Sequence, residues 1–202
     1  MLTGCVQNED QVSLPFINKP DFTPEWINEG DSAYTKIHQI PAFSLIDQNG
    51  KKFTEKNLKG KIYVAGFFFT RCSGICPKLT ANMAILQKYF MEDEEVMFLF
   101  HSVTPEADSI SVLKRYSDAA GINYRKWRLL TGDRDEIYQL ARQQYFAGDT
   151  IGFYQIGKEF LHTENFILLD RFRRIRGVYN GTLALEMERL REDIEILKKE
   201  NA

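Results

Sequence analysis

The sequence predicts an α/β domain: a central sheet, largely buried, with helices on both faces. Three observations carry this. Two strand-sized runs, Lys61–Phe69 and Val96–Val103, are apolar almost throughout instead of alternating, as in strands covered on both sides. Between and after them, apolar residues recur at steps of three and four, as in helices with one buried stripe. The chain has 202 residues, 44% of them hydrophobic, enough for one well-filled core.

The elements follow in order. Ala42 to Phe53 reads as a hairpin of two short strands around Asn49-Gly50, the strongest two-residue turn signal. Lys61–Phe69 is the first buried strand. Pro77 then sits in the first turn of a helix running to about Phe90, where its missing N–H is no loss. Leu79, Met83, Leu86 and Phe90 form the buried stripe of that helix, so Met83 reads as packing and not as a thioether ligand. After the strand Val96–Val103, Asp108 is expected to cap a helix with Val112, Leu113, Tyr116 and Ala120 inward, stopped by Gly121. Trp127–Leu130 is a short strand. Asp133 with Glu136 makes a capping-box start for a helix using Ile137, Leu140, Ala141 and Gln144. Beyond a loop with Gly148, Gly152 and Gly157, Asn165–Leu169 and Arg174–Tyr179 form a second hairpin. The last helix, Leu183–Lys199, turns Leu183, Met187, Leu190, Ile194 and Leu197 inward.

Charge and hydropathy narrow the function. The net charge is −2, which argues against nucleic acid as a partner. The longest apolar runs are strand-sized, well short of a membrane helix. Arg171, Arg173, Arg174 and Arg176 cluster across the second hairpin. The ordinary reading is a solvated turn, and the sharper one is a docking surface for an acidic partner.

A sheet of this kind presents its site where strand ends meet helix starts, and Cys72 and Cys76 lie at one such junction. Spaced i and i+4 on a helix, two cysteines would share one face with Cα atoms roughly 6 Å apart. That separation suits a soft metal ion held between two thiolates, and it also permits a disulfide. A helix N-terminus favours thiolate over thiol, and Arg71 beside Cys72 would add to this. A pair of inert, buried cysteines is the plain alternative, but Gly74 and Pro77 suit an open turn better than a packed core.

Two thiolates do not complete a structural zinc site, so a third ligand would come from a histidine far along the chain, and there are three. His162, just before the strand Phe166–Leu169, is the best placed; a surface or capping role is its alternative. His101 ends a buried strand and reads as a hydrogen-bonded core or rim residue. His38, close before Pro41, reads as solvent-facing.

The third cysteine stands apart. Leu2-Thr3-Gly4-Cys5 resembles the lipobox of bacterial lipoproteins, in which the cysteine is lipidated. A polar stretch with Pro15, Pro20 and Pro24 follows. The expected organisation is a tether over residues 1–39 carrying the lipidation cysteine Cys5, then one domain over residues 40–202. The expected location is extracytoplasmic, on the periplasmic side, with the membrane touched only through that anchor.

The residues now resemble a known family. Phe69-Thr70-Arg71-Cys72-Ser73-Gly74-Ile75-Cys76-Pro77 is similar to the T-x-C-x-x-x-C-P motif of the Sco/SenC proteins. Val103-Thr104-Pro105-Glu106-Ala107-Asp108 is similar to their D-P-x-x-D segment, with Thr104 where the family usually has aspartate. His162-Thr163-Glu164-Asn165, leading into Leu168-Leu169-Asp170, resembles their metal-binding histidine and the strand after it. The resemblance spans about Ile40 to the last helix. It implies a thioredoxin-like fold with the hairpin added, copper held by Cys72, Cys76 and His162, and delivery to the binuclear copper centre of cytochrome c oxidase. The implied partners are the copper-accepting subunit of that oxidase and a thiol reductant. Asp108 matches the family's second aspartate, and its expected role is helix capping alone.

Two functions are thereby in competition. One is a copper chaperone, which needs no turnover chemistry because the ion passes by ligand exchange. The other is a thiol–disulfide oxidoreductase or peroxidase-like protein cycling Cys72 and Cys76. Thioredoxins have two residues between their cysteines where this chain has three, and no proline occurs after Pro105. Both departures favour the metal.

Overall fold

The structure, a computed structural model, describes residues 13–148 and 163–200. Its first elements are a two-stranded ladder of β1 (Phe16–Ile17) against β2 (Pro24–Glu25). A hairpin follows, β3 (Ser44–Asp47) with β4 (Lys52–Thr54). Then come β5 (Ile62–Phe68), α1 (Cys76–Tyr89), β6 (Val96–Ser102), α2 (Ile110–Ala119) and β7 (Trp127–Thr131). The last elements are α3 (Arg134–Gln139), a π-type turn over Leu140–Gln144, β8 (Asn165–Leu169), β9 (Ile175–Asn180) and α4 (Ala184–Glu200).

Seven strands make one sheet in the order β4-β3-β7-β6-β5-β8-β9. The three strands at its heart, β5, β6 and β7, run parallel, and β3, β8 and β9 extend it antiparallel. All seven residues of β5 and all seven of β6 are buried, as their unbroken apolarity predicts. Ile62, Val64 and Phe68 pack with residues of α1, α2 and α4, while Tyr63, Ala65 and Phe67 pack with α3, the hairpin and Ile40. Alternate residues of one strand thus serve the two layers, and the expected two-sided cover is present.

Several local expectations are corrected. The first hairpin has a three-residue loop, not a two-residue turn: the Asp47 N–H donates to the Lys51 carbonyl, and Gly50 takes the left-handed conformation. Asp47 is the cause, since its carboxylate accepts the N–H groups of Asn49 and Lys51 and draws an extra residue into the turn. The box at the head of α3 is half made. Asp133 accepts the Glu136 N–H, but the Glu136 carboxylate leaves to accept the Ser44 N–H. Leu183 falls one residue before α4 and is exposed, while Met187, Leu190, Ile194 and Leu197 are buried as expected.

The described part of the stretch expected as a tether lies on the domain. Phe16 and Ile17 are buried. The Arg176 guanidinium donates to the carbonyls of Leu14 and Pro15 and pairs with Glu200 at 2.7 Å and Asp170 at 3.4 Å. Arg174 pairs with the same Asp170 at 2.7 Å and lies against the rings of Phe16, Tyr34 and Phe172. The solvated-turn reading therefore fails for Arg174 and Arg176, which are buried. Buried guanidinium groups need partners, and Asp170, Glu200 and two backbone carbonyls supply them. His38 does not face solvent either: its Nε2 lies 2.8 Å from the Gln144 carbonyl, at the end of the π-type turn, and its ring packs on Phe146.

Candidate metal centre

β5 carries the chain to Phe69 and Thr70 at the carboxyl end of the parallel strands. There it turns, the Cys72 N–H donating to the Phe69 carbonyl at 3.3 Å. Arg71, Ser73 and Gly74 are exposed, and α1 begins at Cys76, with Pro77 in its first turn. No side chain caps α1, so its first N–H groups are free to face the turn. Cys72 is half-buried and Cys76 is 3% exposed, and both are free thiols.

The two sulfurs differ in chemistry. Burial alone would raise the Cys72 thiol. The Cys76 thiol and the N–H groups of Cys76, Gly74 and Ile75 donate to it and outweigh burial, so its pKa lies below the ordinary thiol value. Cys76 is pushed up to about 12, by burial first and by its role as donor to Cys72 second. Of the pair, Cys72 is the open sulfur that ionises more readily and Cys76 the buried donor to it. Arg71, expected to assist, is exposed, and the backbone N–H groups supply the positive field.

A second layer, missed by sequence reading, surrounds the turn. Asp108 does not cap α2; Ser109 holds that position and caps with no side chain. The Asp108 carboxylate points inward, 1% exposed, and accepts the hydroxyls of Thr70, Ser102 and Thr104 and the Thr70 N–H. Thr80, one helical turn after Cys76, shares a 2.7 Å hydrogen bond with the Tyr116 hydroxyl of α2. The Tyr116 hydroxyl is held above its ordinary pKa by burial, and the neighbouring acidic groups of the cysteine pair and Asp108 add to that shift. The available signals were the run of hydroxyls around Asp108 and the i+4 spacing of Cys76 and Thr80.

Cys5 and His162 lie outside the described residues. Among the described residues no group of three Cys, His, Asp or Glu side chains gathers to hold a metal. β8 runs antiparallel to β5 with Ile167 opposite Ala65, so its first residues lie at the cysteine end of the sheet. The Gly181 N–H donates to the Glu164 carbonyl there, fixing the chain two residues after His162. His101, by contrast, is a core residue as expected: fully buried, it stacks on Phe67 and lies 3.3 Å from the Gly66 carbonyl through Nδ1. Met83 is likewise buried in the core.

With this geometry in view, the profile of the family described as SCO1/SenC matches residues 32–198. The chain belongs to the SCO1/SenC family. This SCO1/SenC protein is 30% identical over 146 residues to the SCO1 protein homolog of Bacillus subtilis, covering 71% of its own length and 75% of that relative. Its fold matches the SCO1/SenC family lipoprotein of Bacillus anthracis with a TM-score of 0.70 at 31% identity, over 80% of this chain and 95% of that one. It also matches BsSco, described as a member of the Sco family of cytochrome c oxidase assembly proteins, with a TM-score of 0.68 at 28% identity, over 81% and 95%. Arabidopsis thaliana ScoI, solved with copper bound, matches with a TM-score of 0.60 at 27% identity, over 77% and 97%. The thioredoxin-like α/β fold of the SCO1/SenC protein is thus established, with its added hairpin.

Proposed function

We propose that this SCO1/SenC protein binds Cu(I) through the Cys72 and Cys76 thiolates and the His162 imidazole. It then delivers the ion to the copper-accepting subunit of cytochrome c oxidase, for assembly of the binuclear copper centre. One observation carries the reading: two free sulfurs at an open turn, one half-exposed and eased toward ionisation by its neighbours, the other buried beside it. The donors fit a soft monovalent ion, since thiolate and imidazole are the groups such an ion prefers. Copper-bound ScoI of Arabidopsis thaliana and the assembly role named for BsSco support both halves of it.

Each residue then has a task. Cys72 meets the ion as a thiolate. Cys76 binds as its proton leaves, so uptake releases protons and strengthens with rising pH. Three donors leave a coordination position open, through which a ligand of the client enters and exchanges. Reduced protein should take up about one Cu(I), and Cys72→Ser, Cys76→Ser and His162→Ala should each weaken binding about tenfold or more. A copper-loaded X-ray absorption spectrum with nitrogen and oxygen neighbours only would overturn the assignment.

The same reading places the protein outside the cytoplasm, held to the membrane by a lipid on Cys5. The likeness to a protein described as a lipoprotein supports it, and among the described residues no helix is long and apolar enough to cross a membrane. Mass spectrometry of native material tests it: an unmodified Cys5 would rule the anchor out.

One observation favours a second reading, a thiol–disulfide oxidoreductase. The asymmetry of the pair is that of an attacking and a resolving thiol. The Cys72 thiolate would attack a client disulfide, forming a mixed disulfide and releasing one client thiolate. Cys76, deprotonated, would then attack the Cys72 sulfur and release the second. Two electrons pass to the client, and a thiol reductant restores the pair. Rapid copper-free turnover with such a reductant would put this reading first.

A further inference from the structure

We infer that Asp108 is the positioning residue of the cysteine turn: it holds Thr70, two residues before Cys72, against the corner that follows β6. This deepens the proposed copper function and rests on it for its affinity arm. The Asp108 carboxylate is buried, at 1% exposure, and its hydrogen bonds come from protein groups. Its partners come from two separate strands. Ser102 donates at 2.6 Å and Thr104 at 3.1 Å from the β6 side, and the Thr70 hydroxyl and N–H donate from the β5 side.

The consequence for the turn is direct. β5 and β6 are parallel and paired only as far as Phe68 and Ser102. Beyond that register, the Val103 N–H to the Phe68 carbonyl and the Asp108 bridge tie the departing chains together. The Phe69 N–H donates to the Cys76 sulfur and the Phe69 carbonyl receives the Cys72 N–H. Fixing Thr70 therefore fixes the adjoining Phe69, which holds the Cys76 sulfur and the Cys72 backbone. A carboxylate suits this position because it only accepts, and every partner donates. An amide would offer one acceptor oxygen and face the remaining donors with N–H groups of its own.

The test compares Asp108→Asn, Thr70→Val and, as a destabilising change away from the turn, Asp133→Ala. Three quantities are read: Cu(I) affinity against a chromophoric chelator, the reduction potential of the Cys72–Cys76 disulfide in metal-free protein, and the urea midpoint. Asp108→Asn and Thr70→Val should each weaken Cu(I) binding about 10- to 100-fold, as loss of supporting hydrogen bonds does elsewhere. Both should make the potential more negative, because the reduced pair loses its ordered cage. Asp133→Ala should lower the midpoint and leave affinity and potential at the wild-type values. Folded Asp108→Asn and Thr70→Val proteins with wild-type affinity and potential would overturn the inference. Where Asp108→Asn does not fold, Thr70→Val decides alone. Wild-type protein that takes up no Cu(I) would sink the copper reading instead, and the potentials would then judge Asp108 by themselves.

Discussion

A thiol that accepts a hydrogen bond from its neighbour reacts unlike that neighbour. Cys72, half-exposed and below the ordinary thiol pKa, should be alkylated by iodoacetamide at neutral pH well ahead of Cys76. Labelling of Cys76 should lag until strongly alkaline pH, since burial pushes its pKa up to about 12. Peptide mapping after short exposures at several pH values checks this, and equal labelling of both at pH 7 would contradict it. At this scale the cysteines were legible because their types and spacing are rare. Asp108 was not, because an aspartate shortly before a helix reads as a cap whichever way its side chain turns. Only the tertiary placement of Thr70, Ser102 and Thr104 decides between N–H groups of α2 and three hydroxyls. Arg174 and Arg176 were misread for a related reason: a charged side chain defaults to solvent until its buried partner is known, and Glu200 lies 24 residues from Arg176.

Elements were more legible than single side chains. β5 and β6 appear where unbroken apolarity placed them, and α1 starts beside Pro77 as expected. The first hairpin loop and the π-type turn were not, because such local hydrogen bonding leaves no trace in apolar patterning. Tight junctions between elements make a further prediction. A Cβ on Gly181, just ahead of α4, would lie 2.6 Å from the Leu79 methyl of α1 and 2.8 Å from the Phe166 ring of β8. Gly181→Ala must therefore push three elements apart, at a cost of about 1–3 kcal/mol. Urea unfolding measures it, and an unchanged midpoint would show that the junction gives way freely.

At the scale of the whole molecule, the domain is closed by contacts that no local pattern announces. Arg176 gathers Asp170, Glu200 and the carbonyls of Leu14 and Pro15, joining β9, α4 and the segment before β1. Arg176→Met strips partners from buried acceptors and should cost about 3–5 kcal/mol. It should also free residues 14–17, so that chymotrypsin cuts after Phe16, buried in the wild type, faster than before. Cleavage at an unaltered rate would mean that Phe16 and Ile17 hold the segment without the arginine. The α/β class was legible because it follows from alternation along the whole chain. This clasp was not, because its members lie up to 186 residues apart.

The clasp has a geometrical corollary. Leu14 meets Glu200 beside the Arg171–Glu95 pair, at the end of the sheet where β5 and β6 begin. The sulfurs stand where β5 finishes, about 20 Å away along seven residues. The molecule is therefore polar in the manner of a torch: grip at one pole, lamp at the other. The described chain thus enters the domain at the pole away from the sulfurs, and a grip on that entry leaves the cysteine turn uncovered.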